Sequence, residues 1–183
     1  MKSDFLPYRK TFCEIVLQIL DTDDSLLREN AYYFFSNLVE FYDDSLNVFI
    51  TRVLDKVDET CDLQDDSLLG DSDEILAGIG FLEKALETVE FSLFFSEAKL
   101  LNLCRLLLKE SQLDVQCAGL RLFRELTKAK SDDLNAWSSR LYPFLREVLK
   151  ASDSTSLVAT ALTVLSQLLD FGVSFEEFAK EIL

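Results

Sequence analysis

The chain contains no histidine. That absence removes the commonest general base and any Ser-His or Cys-His nucleophile. It has five glycines and two prolines in 183 residues, too few for the many tight turns of a β-sandwich or barrel. Neither usual glycine-rich phosphate loop occurs. No segment reaches the roughly 18 uninterrupted apolar residues of a membrane span. The stretch from Met1 to Leu20 is broken by Asp4, Arg9, Lys10 and Glu14, so it does not read as a signal peptide. The four cysteines, Cys13, Cys61, Cys104 and Cys117, include no CxxC pair, and each sits at or beside an apolar position of a helical pattern. They read as free buried thiols in a reducing compartment, cytoplasmic or nuclear, rather than as zinc ligands or a disulfide. No catalytic residue, metal or cofactor is expected. The paired carboxylates Asp43-Asp44, Asp65-Asp66 and Asp132-Asp133 all fall in expected links and read as solvated helix caps.

What is present favours helix. Hydrophobic residues make up 49% of the chain, enough for a core without a staple. Leucine is abundant, and Glu, Lys, Arg, Gln and Ala fill much of what remains, a palette that favours helix. A repeat emerges when a small residue in the middle of alternate helices serves as the ruler. Ala31 is followed by Phe35 and Leu38, Gly78 by Leu82 and Ala85, Gly119 by Phe123 and Leu126, and Ala161 by Leu165 and Leu168. Positions i, i+4 and i+7 share a helical face. The rulers are 47, 41 and 42 residues apart (78 − 31, 119 − 78 and 161 − 119), within the span of HEAT and armadillo repeats.

Each ruler helix follows another amphipathic segment. First helices are expected at about 4–20, 46–61, 96–110 and 136–151, and second helices at about 25–41, 74–90, 113–129 and 155–170. Asp24 or Ser25 can cap the second of these, and Ser174-Phe-Glu-Glu177 restarts a short last helix as a capping box. The expectation is an all-α chain of stacked antiparallel helical hairpins, a HEAT/ARM-like α-solenoid. It is one domain, 1–183, with repeats at 4–41, 46–90, 96–129 and 136–170 and a terminal helix at 174–183. One hairpin cannot bury its own apolar face, so neighbours stack and share a continuous core. Four or five helices in a plain globular bundle is the alternative.

The first repeat carries more than a period. Leu6-Pro7 opens its first helix, Ile19-Leu20-Asp21 closes it, and Leu27-Arg28-Glu-Asn-Ala31 opens the second. This resembles the HEAT pattern, in which the aspartate and arginine positions form a ladder between successive repeats; Asp21 and Arg28 match them. Gln116 stands at the arginine place in the third repeat, and Leu157-Val158 has neither polar residue in the fourth. The stretch Arg28-Glu-Asn-Ala-Tyr-Tyr-Phe-Phe-Ser-Asn-Leu-Val-Glu-Phe41, with the acidic Asp62–Asp73 loop, resembles importin-β-type nuclear transport receptors over roughly 50 residues. That likeness implies a non-catalytic scaffold for protein transport.

The charge is unevenly spread. Residues 1–90 hold 21 acids and 7 bases, and residues 91–183 hold 12 and 11. The first half repels nucleic acid or an anionic membrane and attracts a basic protein segment. Asp62, Asp65, Asp66, Asp71 and Asp73 would supply the field, within an acidic run from Asp55 to Glu74 that also serves solubility. An EF-hand reading of these acids fails on the spacing of the glycine and the distal glutamate. Of the aromatics Tyr32 to Phe35, Phe34 and Phe35 are expected in the core, leaving Tyr32 or Tyr33 near the surface for a partner. The basic series Arg105, Lys109, Arg121, Arg124, Lys128, Lys130, Arg140, Arg146 and Lys150 is diluted by acids and reads mainly as solvated helix faces, with phosphate or RNA binding as the lesser reading, against which the acidic first half weighs. A structural subunit packed permanently in a larger assembly is the alternative function.

Overall fold

The computed structural model describes residues 6–60, 71–88, 97–129 and 153–170, together with 142, 143, 145, 146, 148–150, 176, 179 and 180. These are helical apart from turns and links, with no strand among them. The chain divides into two compact units, Met1–Lys99 and Leu100–Leu183.

In the first unit α1 spans Arg9–Leu20, α2 Ser25–Val39, α3 Asn47–Thr60 and α4 Ser72–Thr88, with short 3-10 turns at Leu6–Tyr8 and Asp44–Leu46. The links end and restart helices through their own side chains. The Thr22 hydroxyl donates to the Ile19 carbonyl at 2.7 Å as α1 closes, and the Asp24 carboxylate accepts from the Leu27 N–H at 3.1 Å as α2 opens. Asp43 does the same at the next turn, accepting from the Ser45 N–H at 2.9 Å. The buried residues follow the helical period: Cys13, Leu17 and Leu20 on α1, and Ile50, Val53, Leu54 and Val57 on α3. Helix α4 buries Ile75, Ala77, Ile79, Phe81, Leu82, Ala85 and Leu86, so apolar side chains surround most of it.

Helix α1 packs against α2 and α3, α3 against α4, and the most extensive pairing is α2 with α4. That last pairing keeps one register. Arg28 meets Glu74, Tyr32 borders Gly78, and Phe35 meets Phe81 edge-on with ring centroids 6.5 Å apart. Each pair is 46 residues apart (74 − 28, 78 − 32 and 81 − 35), so α2 and α4 run parallel.

In the second unit α5 spans Glu97–Lys109, entering the unit at Leu100; α6 spans Leu113–Ala129 and α7 Thr155–Asp170. Leu103, Cys104 and Leu107 of α5, Ala118, Leu122, Phe123 and Leu126 of α6, and Leu157, Ala161, Val164 and Leu168 of α7 are buried. Helix α6 packs against α7. Residues 142, 143, 145, 146 and 148–150 are helical. At Gly119 α5 and α6 approach closely: a Cβ built there would lie 2.9 Å from the Leu107 Cβ and 3.3 Å from the Cys104 carbonyl oxygen. Among the described residues no helix is long and apolar enough to cross a membrane.

Candidate functional site

The site residues expected from the sequence divide three ways. Asp62, Asp65 and Asp66 lie outside the described residues. Asp71 and Asp73 are exposed at the start of α4, where the Asp71 backbone carbonyl accepts from the Ile75 N–H at 2.9 Å. Glu74, part of the same acidic run, is only 2% exposed and belongs to the interior instead.

The two tyrosines are separated by their helical phase. Tyr32 is 1% exposed, its ring lying against Gly78 and its hydroxyl 3.3 Å from the Thr60 hydroxyl. It is a core residue and not a docking surface, because it shares the inward stripe of half-buried Arg28 and buried Phe35 and Val39 at i−4, i+3 and i+7. Tyr33, one step of about 100° further round, is 50% exposed. Phe35 is fully buried, whereas Phe34 is half-buried, its ring edge-on to Phe35 at 5.5 Å.

The outward face of α2 holds Leu26, Glu29, Asn30, Tyr33 and Asn37. The Asn30 amide donates to the Leu26 carbonyl at 2.7 Å and the Asn37 amide to the Tyr33 carbonyl at 2.8 Å. Both amides are held down on the helix while Leu26 and Tyr33 stand exposed. The face carries acceptors and two apolar knobs, and its one acid is Glu29.

Asp21 and Arg28, singled out in the sequence, belong to a charged network whose other members, Lys56, Thr60 and Glu74, the sequence did not point to as their partners. A cleft of about 270 Å³ is lined by Leu20, Asp21, Thr22, Arg28, Lys56, Glu59, Thr60 and Glu74. Arg28 grips Glu74 with two parallel bonds, Nε to Oε1 and Nη2 to Oε2, both 2.7 Å, the planar fork geometry that suits a carboxylate. Its Nη1 donates to the Thr22 carbonyl at 2.5 Å. The Thr60 hydroxyl lies 3.4 Å from Glu74 Oε1. Glu74, acting through these bonds, holds the Arg28 guanidinium even more firmly protonated than usual.

Asp21, the other ladder residue of the first repeat, has partners of its own. It pairs with Lys56 of α3 at 2.9 Å and approaches Arg52 at 4.0 Å. Its bond to Lys56 lowers the carboxyl below its ordinary range and raises the ammonium above its own. The two ladder residues of the first repeat therefore both reach into the segment 46–90, each to a partner of its own. Glu74 was legible in principle: Glu74, Gly78, Phe81 and Ala85 form one i, i+4, i+7, i+11 stripe, so its carboxylate had to be buried and paired. Gln116, at the arginine place of the third repeat, donates to the Glu110 carbonyl at 2.6 Å. Arg28 donates to Thr22 over the same separation of six residues, and in both cases the acceptor closes the preceding turn.

At the other edge of the first unit Arg9 pairs with Asp43 and donates to the Ser45 hydroxyl at 2.8 Å. Bonds from Ser45, then from Arg9, hold the Asp43 carboxyl below its usual range. Among the described residues no three His, Cys, Asp or Glu side chains converge to hold a metal. Set beside protein-family models, curated proteins and solved structures, the chain matches none of them.

Proposed function

We propose that this chain is a HEAT-like stack of helical hairpins, resembling part of an importin-β-type receptor. In this reading it acts without catalysis as a scaffold that binds a basic protein segment through its acidic first half. The constant 46-residue offset of α2 and α4 supports the repeat reading, since equivalent helices of stacked hairpins lie side by side in register. The carrying observation for binding is the outward face of α2 and its surroundings. Tyr33 and Leu26 stand exposed among acceptors, Asp23 and Asp24 lie before the helix, Asp71 and Asp73 are exposed at the start of α4, and the arginine of α2 is turned inward to Glu74. A cytoplasmic or nuclear setting accords with that role.

The test is binding of a fluorescent Lys/Arg-rich peptide to the full chain. Replacing Asp71 and Asp73 together by lysine is expected to weaken binding about five- to tenfold, and raising salt from low to 0.3 M is expected to weaken it further. Tyr33→Ser is expected to weaken it with little change in salt dependence. Affinity unaltered by the charge reversal and by salt overturns the proposal.

A second reading, a subunit held permanently in a larger assembly, is favoured by α1. Tyr8, Phe12 and Ile15, at i, i+4 and i+7, are 63%, 45% and 51% exposed on the side away from Cys13 and Leu17. Association that survives high salt and is lost in Ile15→Asp selects this reading over the first.

A further inference from the structure

Helix α7 stands apart from the other helices in charge. Residues 155–169 hold no charged side chain, and Asp170 follows as the last residue of the helix. Each of α1 to α6 carries at least two, in a chain that is 28% charged. The helix is two-sided all the same. Leu157, Ala161, Val164, Leu165 and Leu168 are buried. Thr155, Ala159, Leu162, Thr163, Ser166 and Asp170 are exposed, with Leu162 at 53% and neighbouring Leu169 at 47%. The six positions follow i, i+4, i+7, i+8, i+11 and i+15 and so lie along one face. Exposed leucine among small uncharged residues is the composition of the middle of a protein interface, where charge is depleted.

The face is complementary to itself. Where two α7 helices cross antiparallel between Leu162 and Thr163, position 162 meets 163 of the second copy, 159 meets 166 and 155 meets 170. Ala159 and Ser166 are both small and let the two backbones approach. Leu162 meets a threonine whose hydroxyl donates to the Ala159 carbonyl of its own helix at 2.9 Å and so asks nothing polar of a partner. One step round the helix from Leu162, a cleft of about 270 Å³ has Ala159, Thr160 and Thr163 in its wall among the described residues, and it receives the leucine of the second copy. Asp170 falls at the start of the second copy's α7, where the first N–H groups and the helix dipole favour a carboxylate. A basic segment finds only that one acid on this face, and an acidic segment finds no cation. Residues 91–183, with 12 acids and 11 bases, do not repel their like, whereas residues 1–90, with 21 and 7, do.

We propose that α7 is a self-association face, on which two copies of the chain pair antiparallel about a two-fold axis between Leu162 and Thr163. A single helix pair buries less than a standard interface, so the dimer is weak, with a Kd of about 10–100 µM. The face lies wholly in the second unit and is independent of the binding reading for the first.

Sedimentation equilibrium of the full chain, run up to about ten times that Kd at 0.05 and 0.5 M salt, tests it. The expected result is a monomer–dimer equilibrium that tightens severalfold at the higher salt, because each copy carries a net charge of −15 that salt screens. Binding of a basic segment to the first unit moves the opposite way with salt. Leu162→Asp puts two carboxylates at the axis and weakens the dimer at least about tenfold, with thermal unfolding unchanged because the side chain is half exposed. Ala159→Asp and Ser166→Lys each weaken it alone, and the double variant recovers it, because 159 of one copy faces 166 of the other. That recovery keeps the test valid if Leu162→Asp disturbs the fold. A chain that stays monomeric at both salts overturns the proposal and leaves the face to a different protein. A dimer indifferent to Leu162→Asp and to the 159 and 166 variants overturns it as well and places self-association on another surface.

Discussion

Two glycines in equivalent positions of the expected repeat do different work, and substitution separates them. A Cβ at Gly78 meets only Val57 and Tyr32 at 3.5 and 3.8 Å, ordinary contact distances, while the helix gains from losing a glycine. Gly78→Ala should be neutral or stabilise by up to about 1 kcal/mol. At Gly119 the neighbours are the Leu107 Cβ and a backbone carbonyl, neither of which moves cheaply. Gly119→Ala should destabilise by about 1–2 kcal/mol after the helical gain is counted. Thermal unfolding of both variants checks the pair, and equal shifts would mean that α5 and α6 are not in close contact at this point. The Cys13 thiol is a second residue-scale case. Burial, opposed in part by Arg9, pushes its pKa up to about 11. In a protein keeping only that cysteine, reaction with a disulfide reagent at pH 8 should be about two orders of magnitude slower than for a free thiol, rising to the ordinary rate on unfolding.

Between elements, the charged network ties α2 to α4 and α1 to α3 by bonds of unequal strength. Arg28→Ala leaves the Glu74 carboxylate, 2% exposed, without its main partner, and should cost about 3–5 kcal/mol in denaturant unfolding. Arg28→Ala combined with Glu74→Leu should recover much of that loss. The Asp21–Lys56 pair is half exposed and screened, worth less than about 1 kcal/mol. Asp21's folded pKa is lowered, so its contribution is present above the unfolded value of about 3.9 and fades as pH falls through the lower folded value. Lys56's is raised, so its share is present below about 10.4 and fades as pH rises through the higher folded value. The stability difference between the parent chain and Lys56→Met should therefore be flat near neutrality, shrink as pH falls below about 3.9 and vanish below the lower folded value of Asp21. A difference that persists there would mean that Lys56 acts through packing alone.

Over the whole molecule, the charge asymmetry sets the kind of encounter each unit makes. With 21 acids and 7 bases in residues 1–90, approach of a cationic peptide should be accelerated at low salt, and its association rate should fall severalfold between 0.05 and 0.3 M salt. The near-balanced second half should add little to that dependence. Stopped-flow measurement gives the rate. A salt-independent rate would place the contact on apolar surface such as the Tyr8, Phe12 and Ile15 stripe.

Helical periodicity, the shortage of glycine and proline, and the Asp and Ser caps determined from sequence alone that the chain is all-α and where helices fall among the described residues, because those signals are local; the expected helices at 136–151 and 174–183 lie largely outside those residues. The expected 25–41, 113–129 and 155–170 are found as Ser25–Val39, Leu113–Ala129 and Thr155–Asp170. Local signals carry no information about partners 46 residues away. Tertiary structure alone decided which of Tyr32 and Tyr33 is core and which surface, that Arg28 is the partner of Glu74, and that Asp21 turns to Lys56. It also aligned α2 on α4 one residue away from the 47 of the Ala31–Gly78 ruler. Those outcomes depend on which helix faces which across the core, and there a buried charge must find its counter-charge whatever its neighbours in sequence suggest.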